Sequence, residues 1–186
     1  MMAGSTELKT ERLALRRWRD TDREPFAQMN RDPAVMEFFS TVLSREESNR
    51  MIDRIETQFE ERGFSLWAAE LSASSELIGF IGLSVPGFEA AFTPCVEIGW
   101  RLAAKHWGKG LATEGARAAV GFAFDALGLP ELVSFTTVNN LRSRRVMEKL
   151  GMSRNPLEDF DHPSLPDDHP LRRHVLYRMQ RTSWRA

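Results

Sequence analysis

Two glycines flank a lysine between a predicted strand and a predicted helix, and this turn is the part of the sequence best suited to bind an anion. Gly108, Lys109 and Gly110 follow a strand-like run that ends at Leu102 and precede an alanine-rich helical run that begins at Leu111. Glycine lets the backbone approach a ligand closely, and the first N–H groups of a helix have no acceptor within it. Because the start of a helix also carries partial positive charge, the turn predicts a diphosphate ligand, with Lys109 adding charge.

The glycine pattern matches neither of the two common nucleotide-binding fingerprints. The dinucleotide fingerprint needs three glycines after the first strand of a parallel sheet, and the P-loop ends in Gly-Lys-Ser/Thr. The sequence contains neither pattern. Taken alone, the two glycines are equally well interpreted as an ordinary tight turn between a strand and a helix.

The elements that would position this turn alternate between strand and helix patterns along the chain. Apolar alternation predicts strands, and apolar residues at helical spacing between capping and breaking residues predict helices. The predicted strands are 11–19, 64–71, 76–85, 95–102, 132–138 and 171–179; the predicted helices begin near 23, 45, 111 and 141 and end near 31, 62, 127 and 150. Residues 155–170, rich in proline and aspartate, predict a loop. We expect an α/β (α+β) fold in a single domain over residues 1–186.

Composition and charge exclude several classes of protein. The chain has 186 residues, of which 42% are hydrophobic, and its 25 basic and 26 acidic residues leave a net charge of −1. No overall field would therefore attract nucleic acid or an anionic membrane. The single cysteine, Cys95, excludes an intrachain disulfide and thiolate-rich zinc sites. The longest apolar run, 77–85, is far shorter than the roughly 20 residues of a membrane-spanning helix, and residues 1–9 lack the apolar stretch of a secretory signal. We expect a cytoplasmic protein that binds no nucleic acid, membrane or metal.

Three ordered motifs give the sequence a resemblance to a known enzyme family. They are VEIGWRL at 96–102, WGKGLATE at 107–114, and NLRS with MEKLGM at 140–143 and 147–152. In this order they resemble the GNAT superfamily of acyl-CoA-dependent N-acetyltransferases, and most of all its RimJ/RimL-type branch, which includes enzymes that acetylate protein N-termini. The resemblance covers about the whole chain. It implies the GNAT fold: a mixed central sheet of about six to seven strands, flanked by about four helices, with a splayed strand pair that binds acetyl-CoA.

The resemblance also implies how acetyl-CoA, as co-substrate, is held. Backbone amides of the turn would bind its pyrophosphate, and the splayed strand edge would pair with the amide-rich pantetheine arm, as strand edges pair with extended peptides. Asn140 would bond the pantetheine or orient the strand end, although capping its own helix explains it comparably well. At Lys105 the family usually has glutamine or arginine. The implied residues are Trp100, Arg101, Leu102, Lys105, Trp107, Gly108, Lys109, Gly110, Leu111, Ala112, Thr113, Asn140 and Ser143.

Acetyl transfer to an amine needs a neutral nucleophile, a polarised thioester carbonyl and a proton for the departing thiolate. The resemblance implies Glu97 as the base, acting directly or through water; a structural pairing with an arginine is the alternative. Many relatives use a tyrosine as the acid at the position occupied here by Met147, and the sequence has one tyrosine, Tyr177. Ser143, solvent and Tyr177 are therefore the remaining candidates. A packing role at a helix turn is the alternative for Ser143, which in RimL-like enzymes is thought to contact the CoA sulfur.

The acceptor is the component that the sequence determines least. A protein N-terminal amine, with a pKa near 8, needs less help from a base than a lysine amine near 10.4. A small amine, such as a polyamine, an amino acid or an aminoglycoside, is the alternative, as is a non-catalytic acyl-CoA sensor. His162, His169 and His174 are irregularly spaced, which predicts a surface or substrate-side loop rather than a metal site. His174, on the last predicted strand, is a candidate to line the acceptor cleft, but a core or edge histidine is the favoured interpretation. We expect direct attack in a ternary complex; the sequence leaves a homodimer open.

Overall fold

The computed structural model describes residues 7–185 and contains a mixed nine-stranded sheet. The strands are β1 (Leu8–Lys9), β2 (Leu13–Arg16), β3 (Leu66–Leu71), β4 (Leu77–Ser84), β5 (Glu97–Leu102), β6 (Glu131–Thr137), β7 (Ser153–Arg154), β8 (Phe160–Asp161) and β9 (Arg173–Gln180). The helices are α1 (Arg23–Arg31), α2 (Arg45–Arg62), α3 (Leu111–Gly121) and α4 (Leu141–Leu150). The strand order is β1-β2-β3-β4-β5-β6-β9-β7, with β8 also paired to β9.

The sheet confirms the predicted mixed α/β architecture with four helices, but it has nine strands where about six to seven were expected. The strands of four or more residues, β2 to β6 and β9, are those that apolar patterning predicts. The others, β1, β7 and β8, have two residues each, which is too short to show a period of two. Strand β8 lies inside the segment that was predicted to be a loop, so that prediction was incomplete.

The helix boundaries follow local capping chemistry. Ser44 and Glu47 form a reciprocal capping box at the start of α2, and Gly63, in the left-handed region with φ 77°, ends it. Helix α3 is shorter than predicted, because after Gly121 the chain continues as a π-helical turn over Phe122–Ala126. Within residues 7–185, no helix is both long enough and apolar enough to cross a bilayer.

Helices α1 and α3 cover opposite faces of the sheet. Consecutive residues of a strand point to opposite faces, and in β4 the Phe80 ring packs edge-on against Phe26 of α1, with 6.2 Å between ring centroids. Ile81, the next residue, faces α3, where a Cβ added at Gly115 would lie 2.4 Å from the Ile81 Cδ1 atom. Gly115 thus allows α3 to pack directly on the strand.

Strands β5 and β6 are the parallel neighbours in the sheet, and they separate soon after they meet. Glu97 and Val133 are their one directly paired position, and the Val133 N–H donates to the Val96 carbonyl at 3.0 Å. Next to this position the Ile98 carbonyl accepts from the Ser134 hydroxyl at 2.9 Å. Beyond this point the β6-facing edge of β5, residues 99–102, borders a gap in the sheet.

Candidate active site

A cavity of about 710 Å³ occupies this gap and extends to both ends of it. Its walls come from β5, β6, the glycine turn, the starts of α3 and α4, the segment after α1, and the loop between β8 and β9. Of the residues predicted to bind acetyl-CoA, the cavity brings together Trp100, Arg101, Leu102, Trp107, Gly108, Gly110, Leu111, Ala112, Thr113, Asn140 and Ser143. Glu97 lines the same cavity.

The glycine turn has the backbone geometry that an anion site requires. Gly108 and Gly110 have φ of 73° and 80°, in the left-handed region that glycine adopts without strain. The first backbone hydrogen bond of α3 runs from the Glu114 N–H to the Gly110 carbonyl, at 3.0 Å. The N–H groups of residues 111–113 precede that bond, so they have no acceptor inside the helix. These three residues all line the cavity.

An arginine from the start of the sheet braces the turn from outside the cavity. Arg12 donates from Nη1 to the Lys109 carbonyl at 3.0 Å and from Nε to the Glu114 Oε2 atom at 2.6 Å. Glu114 also accepts from the Arg12 backbone N–H at 2.8 Å and from the Thr10 hydroxyl at 2.6 Å. Burial opposes ionisation of Glu114, but these hydrogen bonds outweigh it and keep its pKa below the usual range. Glu114 belongs to the motif at 107–114 that carries part of the family resemblance, but the role of Arg12 as a brace emerges only in three dimensions.

The two lysines predicted beside the turn do not line the cavity. Lys105 is largely exposed, and its Nζ atom lies 2.5 Å from the Glu76 Oε1 atom. This contact contributes most to the lowered pKa of Glu76, which also lies 3.2 Å from the His106 Nε2 atom. Lys109 contributes its carbonyl to the Arg12 contact. The turn therefore presents backbone N–H groups to the cavity.

Glu97 is positioned as a carboxyl group at the narrow end of the gap. Its Oε2 atom accepts from the Ser84 hydroxyl at 3.1 Å, across the antiparallel pair of β4 and β5. Burial raises its pKa to about 7, and the Ser84 hydrogen bond opposes that rise only weakly. In the described part of the chain no arginine or lysine forms an ion pair with Glu97. Its surroundings therefore differ from those expected if Glu97 were a structural partner of an arginine.

Arg101 lies on the same face of β5 as Glu97, four residues further along. Its Nη1 atom donates to the Asn30 Oδ1 atom at 2.9 Å, and its guanidinium stacks on the Phe39 ring, 4.0 Å from the centroid. Burial lowers its pKa to about 10. The side chain thus attaches the segment after α1 to the cavity wall, and any contact with pantetheine would come from the Arg101 backbone.

The N-terminus of α4 forms the wall opposite β5. The Asn140 Oδ1 atom accepts from the Ser143 N–H at 3.2 Å, and the Asn140 Nδ2 atom donates to the Thr136 hydroxyl at 2.9 Å. Asn140 therefore caps its helix and also holds the end of β6, which is consistent with both interpretations of this residue. Ser143 lies in the first turn of α4 and faces the cavity.

The structure removes Tyr177 from the candidates for the acid. Its hydroxyl donates to the Glu148 Oε1 atom at 3.0 Å, and the residue is buried beneath α4 instead of lining the cavity. Met147 is fully buried in the core, and its neighbour Val146 faces the cavity. Ser143 and solvent remain as sources of a proton for the thiolate.

An aromatic and histidine cluster, which sequence reasoning found only in part, closes the cavity near Glu97. His162 and His174 have ring centroids 5.1 Å apart, and the His174 ring lies 6.2 Å from the Phe135 ring. All three residues line the cavity, and His174 is in addition largely buried. Phe135 lies on an ordinary apolar strand, so no local signal distinguishes it from a core residue. In residues 7–185, no group of three or more His, Cys, Asp or Glu side chains is arranged to hold a metal ion.

Cys95 lies two residues before the start of β5 and is not part of the cavity wall. Burial raises the pKa of its thiol to about 11, with the nearby Glu97 carboxylate adding to the effect. The thiol is therefore protonated at neutral pH, whereas the thiolate is the nucleophilic form.

Comparison with known proteins agrees with this geometry. A family model described as an acetyltransferase (GNAT) domain matches residues 12–153. The uncharacterized protein YkkB of Bacillus subtilis is 31% identical over 152 residues, which cover 81% of this chain and 87% of YkkB. A GNAT-family acetyltransferase structure from Bacillus anthracis has a TM-score of 0.77 at 24% identity, over 95% of this chain and 99% of that one. A ribosomal-protein-S5-alanine acetyltransferase from Vibrio fischeri shares the fold, with a TM-score of 0.76 at 13% identity over 97% of this chain and 100% of that one.

Proposed function

The chain belongs to the GNAT acetyltransferase family, and from this premise we propose that it moves the acetyl group of acetyl-CoA to a primary amine by direct attack in a ternary complex. The observation that carries the proposal is the position of Glu97. Its carboxyl group, with a pKa of about 7, lines the cavity that the glycine turn also lines. A base and a diphosphate-binding turn in one cavity are what acetyl transfer from a CoA thioester requires.

The chemistry of the cavity wall fits acetyl-CoA, which supplies the acetyl group as a thioester. The N–H groups of residues 111–113 are oriented to donate to the pyrophosphate, and the backbone edge of residues 99–102 is available to the pantetheine amides. Arg145 and Lys149, one turn apart on α4, line the same cavity and add positive charge for the phosphates. The contacts to the pyrophosphate and to the pantetheine are therefore backbone features, which tolerate Lys105 in place of the family's usual residue.

Glu97 is proposed to take the proton of the acceptor amine. The amine lone pair forms the new bond to the acetyl carbon, the bond from that carbon to sulfur breaks, and the ammonium proton passes to the carboxylate directly or through water. A carboxylate with a pKa of about 7 is a better base near neutral pH than one with the ordinary value. An α-amine, whose pKa lies near 8, is closely matched to such a base.

The first turn of α4 is proposed to receive the leaving thiolate. The N-terminus of a helix stabilises negative charge and lowers the pKa of a nearby thiol. Ser143 faces the cavity there and can donate its hydroxyl proton or hold a water that does. Because the thiolate is stabilised electrostatically, the reaction does not depend on a tyrosine at the position of Met147.

The proposed acceptor is an α-amine, such as the N-terminus of a protein. The match between the pKa of Glu97 and that of an α-amine supports this choice. The Vibrio fischeri structure with the same fold is, by its title, a ribosomal-protein-S5-alanine acetyltransferase, which lends further support. The absence of a tyrosine at position 147 is the one observation that favours a second function, acyl-CoA sensing without catalysis.

Calorimetric titration with acetyl-CoA, followed by thiol release over a panel of amines, tests the proposal. We expect binding and amine-dependent release of CoA. Binding without release for any amine would instead support the sensor, and the absence of binding would overturn both functions.

Direct transfer is tested separately by Cys95→Ala. Because the Cys95 thiol is protonated and outside the cavity wall, we expect kcat within about twofold of the unmodified protein. Loss of turnover with unchanged acetyl-CoA affinity would show that the acetyl group passes through the cysteine.

A further inference from the structure

The charges that line the cavity are unsuited to a polycationic acceptor. Among the lining residues of the described chain there is one carboxylate, Glu97, and there are four basic side chains, Arg101, Arg142, Arg145 and Lys149. A polyamine or aminoglycoside carries several ammonium groups, each of which needs a carboxylate or carbonyl partner once it leaves water. The cavity offers one carboxylate, and the reacting amine itself requires it.

The wall beside Glu97 is apolar. Glu97 pairs with Val133, so Phe135, two residues along β6, lies on the same face of the sheet as the carboxyl group. Its ring packs against Phe88 and Phe160, with centroids 5.7 and 5.5 Å away, which fixes its orientation. Leu165 and Leu171, from the loop between β8 and β9, complete this side of the cavity.

The two histidines in this wall act as flat, uncharged surfaces. Burial lowers the pKa of both His162 and His174, so both imidazoles are neutral at pH 7. The His174 Nδ1 atom lies 3.0 Å from the Arg172 carbonyl, and the His162 Nδ1 atom accepts from the Ser164 N–H at 3.3 Å. These bonds hold both rings in place against the phenylalanine cluster.

We propose that the acceptor amine is carried on an apolar group of aromatic size, which packs between Phe135, the two imidazoles and the leucines while the amine reaches Glu97. The inference rests on the proposed function and specifies its substrate class. For a peptide acceptor it predicts a large apolar first side chain; for a small molecule, an arylalkyl or branched-alkyl amine. An acceptor with a very small side chain would leave this wall unfilled, and one with a charged side chain would place its charge against the wall.

Amino-acid amides test the inference, because their α-amines have similar pKa values and differ in the side chain. Thiol release is measured with phenylalaninamide, leucinamide, alaninamide and lysinamide, with spermidine as the polycation. We expect kcat/KM for phenylalaninamide to exceed that for alaninamide and lysinamide by about tenfold or more, the discrimination an apolar pocket provides. The same amides are titrated into CoA-saturated protein, so Kd values give a ranking even without detectable turnover.

A charge introduced into the wall provides a second readout. Leu171→Glu is expected to lower kcat/KM for phenylalaninamide by about tenfold and to raise the relative rate with lysinamide. Leu157→Glu is the matched control, since Leu157 is 92% exposed and outside the cavity lining, and it should preserve the original ranking. A loss of rate with all amides alike would reflect misfolding of the variant. In that case the inference is tested by the order in which the unmodified protein prefers the amides.

The result that overturns the inference is a flat ranking, or a preference for lysinamide or spermidine, in the unmodified protein. That result would leave the proposed acetyl transfer intact. Failure of the proposed function has different signatures, namely no acetyl-CoA binding at all, or acetyl-CoA binding with no thiol release for any amine.

Discussion

Glu97 shows how one residue acquires a function from its surroundings. An exposed glutamate is fully ionised at neutral pH and is a weak base. Here burial favours the neutral form, and the single hydrogen bond from Ser84 compensates little, so the pKa rises to about 7. An arginine neighbour would have had the opposite effect. The same environment that makes the carboxylate a useful base makes it costly to ionise in the folded state.

The role of Glu97 as the base predicts a particular pH profile. Between pH 5.5 and 7.5, kcat/KM should rise as the carboxyl group ionises around its pKa of about 7, and it should rise further as the α-amine acceptor loses its proton near 8. Glu97→Gln should lower kcat by about 100-fold and remove the lower of the two transitions. Steady-state kinetics over this range test whether Glu97 is the base. If Glu97→Gln keeps the pH profile of the unmodified protein, another group is the base.

Glu97→Gln should also stabilise the protein at alkaline pH. The folded-state pKa, about 7, lies above the ordinary value of 4.5, so the folded protein binds more protons than the unfolded chain between these values. The free energy of unfolding therefore falls as pH rises through this window, and it stays lower above pH 7. Glutamine does not ionise, so the variant does not lose this free energy of unfolding. We expect its Tm to be higher than that of the unmodified protein at pH 8, with the difference vanishing near pH 4.5. A lower Tm at both pH values would contradict the assigned pKa.

At the scale of elements, the site depends on two helix starts that face one gap. The turn before α3 presents backbone N–H groups at one end of the cavity, and the start of α4 presents Ser143 along its wall. Neither turn is held by its own residues alone. Arg12, at the entry to β2, bonds both the Lys109 carbonyl and the Glu114 carboxylate, and thereby fixes the turn relative to the sheet.

Arg12→Ala should therefore weaken acetyl-CoA binding although Arg12 lies outside the cavity wall. Without the brace, the N–H groups of residues 111–113 lose their fixed direction, and we expect Kd to rise about tenfold, equivalent to roughly 1.4 kcal/mol. Arg17→Ala is the matched control, since the Arg17 side chain likewise bonds two residues, through the carboxylates of Glu56 and Glu60, but these belong to α2. Calorimetry should show an unchanged Kd for the control; an equal loss in both variants would point to general destabilisation.

Patterns within single elements made most of the fold predictable. The capping box at Ser44, the stops at Gly63 and Gly151, and the apolar alternation of the longer strands are local signals, and the structure follows them. The glycine turn and the motif carrying Glu97 are local as well, so their part of the site could be located from the sequence.

Such local patterns do not predict contacts between residues that are far apart in the sequence. The Arg12 brace joins residues 102 positions apart, and no local pattern indicates that Arg12 and Glu114 meet. The sequence pattern predicts Phe135 to be an ordinary strand residue, and only the divergence of β5 and β6 exposes it to a cavity. Lys105, predicted beside the cofactor, is drawn away by Glu76, 29 positions earlier in the sequence. Each of these depends on strand order, which the periodicity of a single strand does not determine.

At the scale of the whole molecule, the cavity divides the sheet into two parts. Strands β1 to β5 lie on one side and β6 to β9 on the other, and the parallel junction between them has a single directly paired position. An ion pair joins α4 to the segment after α1: the Arg142 Nη2 atom lies 2.6 Å from the Glu37 Oε2 atom. The same guanidinium stacks on the Trp107 ring, 4.3 Å from its centroid. Such a half-exposed pair contributes little to stability. A ligand that contacts both parts would add much more.

Acetyl-CoA should for this reason raise the thermal stability of the whole chain. A ligand at 100 times its Kd adds about 2.7 kcal/mol, and each kcal/mol corresponds to roughly 2–4 °C in a protein of this size, so we expect a Tm increase of roughly 5–10 °C. Gly108→Trp should abolish the increase, because the indole would fill the anion site. Gly63→Trp is the matched control: its φ of 77° resembles the 73° of Gly108, and neither position has an atom within 4 Å of an added Cβ. Both variants should therefore lose similar stability without ligand, and only Gly63→Trp should respond to acetyl-CoA; a full response by Gly108→Trp would mean that the diphosphate binds away from the turn.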